Sequence, residues 1–348
     1  MNIHTIILAA GKGTRMNTNL PKVMQPLGGQ TLISHVIQTA KESSEYITVI
    51  VGHQKNILKT HIANIDSNIK TADQDDQLGT AHAVKMASHL IKDDEKILIL
   101  YGDVPLISPK TIEGLMNSEH ECTLLTMQLN DPTGYGRVIT NGQNLALKII
   151  EQKDASEDEL KIEEVFTGIL LIDGSLLRPA LEEIKNQNSA NEYYLTDLVE
   201  ILSGKGVKIK CIQANPAEVS GANNKHELHE LELILRKMSA KKLLEQGITL
   251  IDKTRVDVRG KVVAGKDCSI DVNVILEGDV TLGNNVTIKS NVVLQDVFIG
   301  DNSIIESFSH LSSASVGANC NIGPYARIRE GSEIGNNAKI GNFVETKK

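Results

Sequence analysis

Tryptophan is absent and aromatic residues make up only 3% of the chain, so any core has to be built from isoleucine, leucine and valine. The four cysteines, Cys122, Cys211, Cys268 and Cys320, stand far apart, with no C-x-x-C pair and no paired histidine spacing. That pattern argues against a disulfide framework or a zinc site and for unpaired thiols in a reducing compartment. No apolar run approaches the ~18 residues of a membrane span. The N-terminus enters a strand-like run with no basic segment and apolar stretch ahead of it, so a cytoplasmic location without a membrane partner is expected. An excess of cations is missing too. The net charge of −8 argues against a nucleic-acid partner, and an anionic substrate would need local cations set against an acidic background.

What is present begins with length. At 348 residues the chain exceeds the usual single-core limit of about 250–300, so two domains are expected. Up to residue 222, short apolar strands alternate with helical stretches: Thr5–Leu8, Tyr46–Val51 and a segment near Gln54–Ala63, Ile69–Ala72 and Ala81–Ile91, Lys96–Leu100 and Pro109–Ser118. This rhythm predicts a doubly wound, mostly parallel sheet, whose ligands bind outside the carboxyl ends of the strands. The loops after strands therefore carry the chemistry.

The first such loop reads Leu8-Ala9-Ala10-Gly11-Lys12-Gly13-Thr14-Arg15-Met16, with Pro21-Lys22-Val23-Met24 close behind. It lacks the G-x-x-x-x-G-K-[ST] of a P-loop, and the dinucleotide fingerprint would need a third glycine where Met16 stands. Two glycines nonetheless allow backbone N–H groups to approach a phosphate, and Arg15 and Lys22, with Lys12 in the loop, can neutralise it. The loop is read as the grip on a nucleotide triphosphate. The second loop, Asp73 to Ala83, holds Gln77, a donor and acceptor suited to the edge of a uracil ring, and Gly79, which lets backbone come close to a flat base. His82, in the same stretch, reads as helix packing. The third loop, Tyr101-Gly102-Asp103-Val104-Pro105-Leu106, places a carboxylate at the end of a buried strand. That is a position for a metal ligand, or equally for a cap on the helix near Pro109.

Leu228, Leu231, Ile234, Leu235, Met238 and Leu243 recur at helical spacing amid charges, predicting one linker helix from about Asn223 to Gln246. From Val256 onward the sequence reads with a strict period of six. The leads are Val256, Val262, Cys268, Val274, Val280, Val286, Val292, Phe298, Ile304, His310, Val316, Ile322, Ile328, Ile334 and Ile340, with no insertion. This is the hexapeptide signature of a parallel β-helix, here of five three-rung coils. His310, the one polar lead, reads as an edge or interface residue.

Taken together, Leu8–Met16, Pro21–Met24, Gln77–Ala83 and Tyr101–Leu106 resemble the sugar-nucleotide pyrophosphorylases. Thr133-Gly134-Tyr135-Gly136-Arg137-Val138, Ile150–Ala155, Asn191–Asp197 and Val219–Asn224 extend the match. Within that group the chain resembles the bacterial bifunctional N-acetylglucosamine-1-phosphate uridyltransferase/glucosamine-1-phosphate acetyltransferases. The resemblance implies an α/β then all-β chain: a Rossmann-like nucleotidyltransferase domain over 1–222, a linker helix over 223–247 and a left-handed parallel β-helix over 248–348. It implies Mg²⁺-dependent transfer of UMP from UTP to N-acetylglucosamine-1-phosphate. Uracil is then placed against Ala10, Gly11, Gln77 and Gly79, with Leu8 and Gly102 also in the nucleotide site. Arg15 and Lys22 meet the phosphates, Asp103 and Asn223 hold the Mg²⁺, and Gly136, Glu151, Thr80 and Tyr101 contact the sugar. Arg15, Lys22 and Asp103 would be the catalytic groups, and the β-helix would form a homotrimer.

Two departures qualify these expectations. Phe166 stands before Thr167-Gly168 where the family carries asparagine, and it cannot hydrogen-bond a sugar hydroxyl. Either its ring stacks on the apolar face of the sugar or the loop has changed register. In the β-helix, Arg329 and Lys347 match substrate-binding cations of the acetyltransferase, while the sequence stops within a repeat, so the acetyl-CoA site is expected to be incomplete. Two other readings are a nucleotidyltransferase for another sugar-1-phosphate and a non-catalytic sugar-nucleotide-binding regulatory subunit. Retention of Arg15, Lys22, Asp103 and Asn223 argues against the latter.

Overall fold

The first strand, β1 (Ile3–Ala9), is buried at every position, as suits an apolar run with paired strands on both edges and helices over its faces. In the computed structural model, which describes residues 2–347, it is followed by α1 (Leu32–Ser43), β2 (Tyr46–Val51), α2 (Lys55–Ile65), β3 (Lys70–Asp73), α3 (Thr80–Met86), β4 (Lys96–Tyr101) and α4 (Pro109–Met116). Local chemistry marks the helix starts. Thr31 Oγ1 accepts from the Ser34 N–H at α1, and Ser108 Oγ accepts from Thr111 N–H at α4, where Pro109 fills the first helical position. Next come β5 (Cys122–Gln128), β6 (Arg137–Thr140), β7 (Leu145–Ile150), β8 (Glu164–Asp173), α5 (Gly174–Glu183), α6 (Asp197–Gly204), β9 (Ile209–Gln213), α7 (Pro216–Val219) and α8 (Lys225–Glu245).

Among the described residues these strands form one nine-stranded sheet in the order β3-β2-β1-β4-β8-β5-β9-β7-β6. Strands β3, β2, β1 and β4 are parallel, with Leu8 beside Ile50 on one side and Tyr101 on the other. Their carboxyl ends therefore release the Ala10, Gln74 and Gly102 loops along one edge. The second half departs from the mostly parallel expectation. Strand β8 runs antiparallel to both β4 and β5, and β6 and β7 form an antiparallel hairpin. The reason lies in the connections: β6 and β7 are joined only by the Asn141–Asn144 turn, too short for a crossover. Two apolar clusters cover the two faces, one around Ile6, Ile99, Leu170 and Leu198 and the other around Ile7, Val36, Leu98 and Ile112.

The chain divides into two units: the residues up to Gln25 with Thr31–Leu231, and Pro26–Gln30 with those from Glu232 onward. In the second unit the strands stack in parallel around a core of Val274, Leu276, Val286, Ile288, Val292 and Leu294, which is a parallel β-helix. Asn285, Asn302 and Asn319 turn corresponding corners in the left-handed region, and their amides hydrogen-bond in a ladder at 3.1 and 3.2 Å.

The strict period of six does not hold. Val256 pairs with Val274 and Val262 with Val280, 18 residues apart, but Val280 pairs with Val297 and Val297 with Ala314, 17 apart. One residue is lost between Leu294 and Val297 and another between Leu311 and Ala314. The leads Phe298, Ile304 and His310 consequently do not point into the core. Phe298 is 50% exposed while Val297, Ser303 and Ser309 are buried beside these positions. From Val316 on, the lead is the second inward residue of its rung. Each buried rung turns two alternate positions inward, apolar throughout except for Ser303 and Ser309 at the first of the two, so counting by six returns to Val or Ile after two single-residue slips. His310 is no inward lead at all, and its Nε2 bonds Ser312 Oγ at 3.0 Å.

Candidate active site

A cavity of about 810 Å³ opens at the carboxyl ends of β1 and β4, lined by residues from segments spread through the first unit. The loop after β1 makes one wall. Gly13 there is left-handed (φ 59°), and a Cβ on it would lie 2.6 Å from Lys22 Cβ, so the glycine lets the Lys22 turn pack against this loop. Met16 is buried beneath the loop, and Arg15 is exposed at the cavity lining. Lys12 is exposed and does not line the cavity.

Lys22 is the focus of the charge. Its Nζ is ion-paired with Asp103 and also donates to Asn223 Oδ1 at 3.0 Å. Asp103 arrives there because Gly102, squeezed between Ile33, Val23 and Ala9, donates its N–H to Leu8 O at 2.9 Å and carries the chain off β4. The Asp103 carbonyl in turn accepts from Ala222 N–H at 3.2 Å, which brings the 221–224 segment alongside. A carboxylate and an amide oxygen gathered on one cation form a donor set that fits a hard divalent ion. The Lys22 ammonium already stands where such an ion would be held. Among the described residues there is no cluster of three or more His, Cys, Asp or Glu for a metal, so Asp103 and Asn223 are the side chains that would hold one here.

The loop after β3 makes the opposite wall. Gln74 is buried and its Nε2 donates to Gly79 O and to His82 Nδ1, each at 3.0 Å. Gln77 lines the cavity and donates to Gln74 O at 3.2 Å. Gly79 (φ 118°) has no room for a side chain against the Tyr193 backbone, and Ala81 N–H and Tyr193 N–H close a two-way clip between the two segments.

Beyond this wall lies a pocket with a carboxylate at its back. Glu151 Oε1 accepts from Thr196 Oγ1 at 3.0 Å. Burial raises the Glu151 pKa, the Thr196 bond opposes the rise, and the charges of Asp154 and Glu192 add to it. Asp197, one residue on, is pushed up to about 6 by burial and then by Glu200, Glu151 and Asp154. Burial keeps the Tyr101 phenol protonated, and Thr80 is its hydrogen-bond partner.

Phe166 also lines this pocket while packing into the core at 6% exposure. It stays in register opposite Thr126 with its N–H on Gly136 O at 2.9 Å. The slip in β8 comes after it, between Phe166 and Leu170, where Thr167 Oγ1 turns to Leu125 O.

The structure thus brings Leu8, Ala10, Gly11, Arg15, Lys22, Gln77, Gly79, Thr80, Tyr101, Asp103, Gly136, Glu151 and Asn223 around one cavity, with Gly102 behind its floor. Arg329 and Lys347 are exposed on the β-helix, where Arg329 is paired with Glu345 at 2.7 Å. Sequence reasoning missed Gln74, Thr196 and Glu227 among the lining residues. Gln74 and Thr196 lie within stretches already singled out. Glu227 carried its own signal, since Asn224-Lys225-His226-Glu227 is a capping-box spacing.

Comparison with known proteins agrees with this architecture. Residues 5–194 match the MobA-like NTP transferase domain family, and residues 258–347 match the GMPPB C-terminal domain. The chain is 44% identical over 352 residues to the bifunctional protein GlmU of Idiomarina loihiensis, covering 100% of this chain and 77% of that protein. It is 43% identical over 350 residues to the GlmU of Marinobacter nauticus, again with 77% of that protein covered. Among solved structures, UDP-glucose pyrophosphorylase complexed with UDP-glucose aligns with a TM-score of 0.55 at 18% identity, over 68% of this chain and 100% of the other. A Bacillus anthracis protein designated a glucose-1-phosphate thymidylyltransferase aligns with a TM-score of 0.52 at 19% identity, over 66% and 94%. These last two likenesses concern the fold.

Proposed function

The chain belongs to the GlmU family, and from that premise we propose how its cavity makes UDP-N-acetylglucosamine, a bacterial cell-wall precursor, from UTP and N-acetylglucosamine-1-phosphate. The observation that carries the reading is the meeting of Arg15, Lys22, Gln77, Asp103, Glu151 and Asn223, far apart in the chain, around one cavity. Uracil lies between the Ala10–Gly11 backbone and the Gln74–Gly79 wall, read by Gln77. The triphosphate runs past Arg15 and Lys22. The sugar sits against Gly136, Thr80 and Tyr101, with Glu151 accepting from a hydroxyl.

The reaction is an in-line displacement. A phosphate oxygen of the sugar phosphate forms a bond to the α-phosphorus of UTP, the bond from that phosphorus to the β-bridging oxygen breaks, and pyrophosphate leaves with the electron pair. No side chain is covalently involved. Arg15 and Lys22 align the two anions and neutralise the charge that builds up on the equatorial and leaving oxygens. Asp103 and Asn223 are the residues to hold a divalent ion, which we take to be Mg²⁺ and which would supply further charge neutralisation at the phosphates.

For the second unit we propose a homotrimer, with Arg329 and Lys347 as contacts for an anionic sugar phosphate. Sedimentation giving only a monomer at micromolar concentration would count against the trimer. Among the described residues no helix is long and apolar enough to cross a membrane. A matrix of donors (UTP, dTTP, GTP) against acceptors (N-acetylglucosamine-1-phosphate, glucose-1-phosphate), scored by pyrophosphate release, tests the reading. The UTP and N-acetylglucosamine-1-phosphate pair should turn over fastest, and a clear preference for any other pair would replace it.

A further inference from the structure

Asn223 has a two-faced carboxamide, and only one face suits a cation. Its Oδ1 is turned to Lys22 Nζ and its Nδ2 donates to Glu227 Oε2 at 3.0 Å. The same Glu227 oxygen accepts from the Asn223 backbone N–H at 2.7 Å, so main chain and side chain are clamped by one carboxylate oxygen. Rotating the amide by half a turn would set an N–H donor against the Lys22 ammonium and an oxygen against the Glu227 carboxylate, two repulsive contacts in place of two attractive ones. Glu227 is itself held on the first turn of α8. Its N–H donates to Asn224 Oδ1 at 2.9 Å, and its other oxygen, Oε1, accepts from Asn224 Nδ2 at 2.5 Å.

We propose that Glu227 is a positioning residue for the cation site: it fixes Asn223 so that Oδ1, beside Asp103, faces the cation. This rests on reading the cavity as a metal-dependent nucleotidyltransferase site. Glu227 lines that cavity, yet its oxygens are spent on Asn223 and Asn224, so its action passes through Asn223. A residue serving only as a helix cap would affect the stability of α8 without affecting the cation. Partners that orient a metal ligand typically change metal affinity by about 10- to 100-fold when removed.

The test measures UTP affinity of the full chain by calorimetry, in EDTA and in MgCl₂, and takes the ratio as the metal-dependent gain. In Glu227→Ala and in Glu227→Asp, which is a methylene too short, the gain should fall about tenfold while affinity in EDTA stays unchanged. Glu227→Gln keeps an acceptor oxygen at the same reach and should hold the gain within about twofold, and the Mg²⁺ concentration for half-maximal turnover should move in parallel. Asn224→Ala, which removes the cap but neither of the Glu227–Asn223 bonds, should lower the melting temperature and cost clearly less of the gain than Glu227→Ala. An undiminished gain in Glu227→Asp, a loss in Glu227→Gln equal to that in Glu227→Ala, or a loss in Asn224→Ala as large would each overturn the proposal. A wild-type chain that binds UTP with no metal-dependent gain would instead overturn the reading of the site on which the proposal rests.

Discussion

Lys22 and Asp103 form an ion pair inside the cavity, and the same ammonium reaches Asn223 Oδ1 at 3.0 Å. The lysine proposed for the phosphates thus touches both oxygens proposed for the metal, and the two roles compete for the same contacts. Lys22→Met should lower kcat/KM by about 10²–10³-fold, the range for removing one preorganised charge donor. It should also leave Asp103 and Asn223 free, so that Mn²⁺ binds the nucleotide-free variant more tightly than wild type in a spin-resonance titration. Equal Mn²⁺ affinity would mean that the ammonium does not compete for that place.

Phe166 presents a ring to the pocket proposed for the sugar, from a position still in register with Thr126. Phe166→Asn restores a hydrogen-bonding group there, and one such bond contributes about 0.5–1.5 kcal/mol. The KM for the sugar phosphate should fall several-fold while that for UTP holds. Removing a buried phenyl group should at the same time lower stability by about 3–5 kcal/mol. Steady-state kinetics with each substrate varied, together with thermal melts, check both halves. An unchanged or raised sugar KM would indicate that the ring itself contacts the sugar.

Asp197 is raised to about 6 from 3.8 by burial and by its acidic neighbours. In the folded state it therefore binds its proton more tightly than in the unfolded chain. The sign follows: its ionisation destabilises the fold, with no penalty below pH 3.8, a growing one up to about pH 6 and the full penalty above. Asp197→Asn should melt at a higher temperature than wild type at pH 8, with the difference shrinking toward pH 4. A constant difference across that range would rule out titration of Asp197 as its source. Glu151 is raised in the same direction, so turnover should decline on the acid side at a pH above the usual carboxylate range.

In the β-helix the two single-residue slips set Val297 inward and Phe298 outward. Val297→Asp buries a carboxylate with no partner and should unfold the second unit at ordinary temperature. Phe298→Asp, on the surface, should change stability by no more than about 0.5 kcal/mol. A strict period of six demands the reverse, and chemical denaturation of the two variants separates them.

Much of this was legible in the sequence because loops after parallel strands announce themselves. Ala10–Met16, Gln77 and Asp103 each follow an apolar run that became a strand on the same sheet edge. The rest depended on partners that periodicity does not reveal. Strand β8 runs antiparallel because of where the chain returns, which no local pattern in Glu164–Asp173 encodes. Gln74 looks like an ordinary loop amide until His82 and Gly79 are seen to hold it. Glu227 has the spacing of a helix cap, and only the structure shows its carboxylate also bonded to Asn223. The slipped rungs were hidden because, Ser303 and Ser309 apart, both alternate inward positions of the buried rungs are apolar.

In the proposed reaction this one cavity joins UTP to N-acetylglucosamine-1-phosphate with Asp103 at the metal, and phosphorus NMR of the full chain with both substrates and MgCl₂ follows it atom by atom. UDP-N-acetylglucosamine and pyrophosphate should appear in equal amounts, cease on addition of EDTA, and be absent with Asp103→Ala at matched folding. Pyrophosphate formed without the sugar nucleotide, or product formed undiminished by Asp103→Ala, would contradict it.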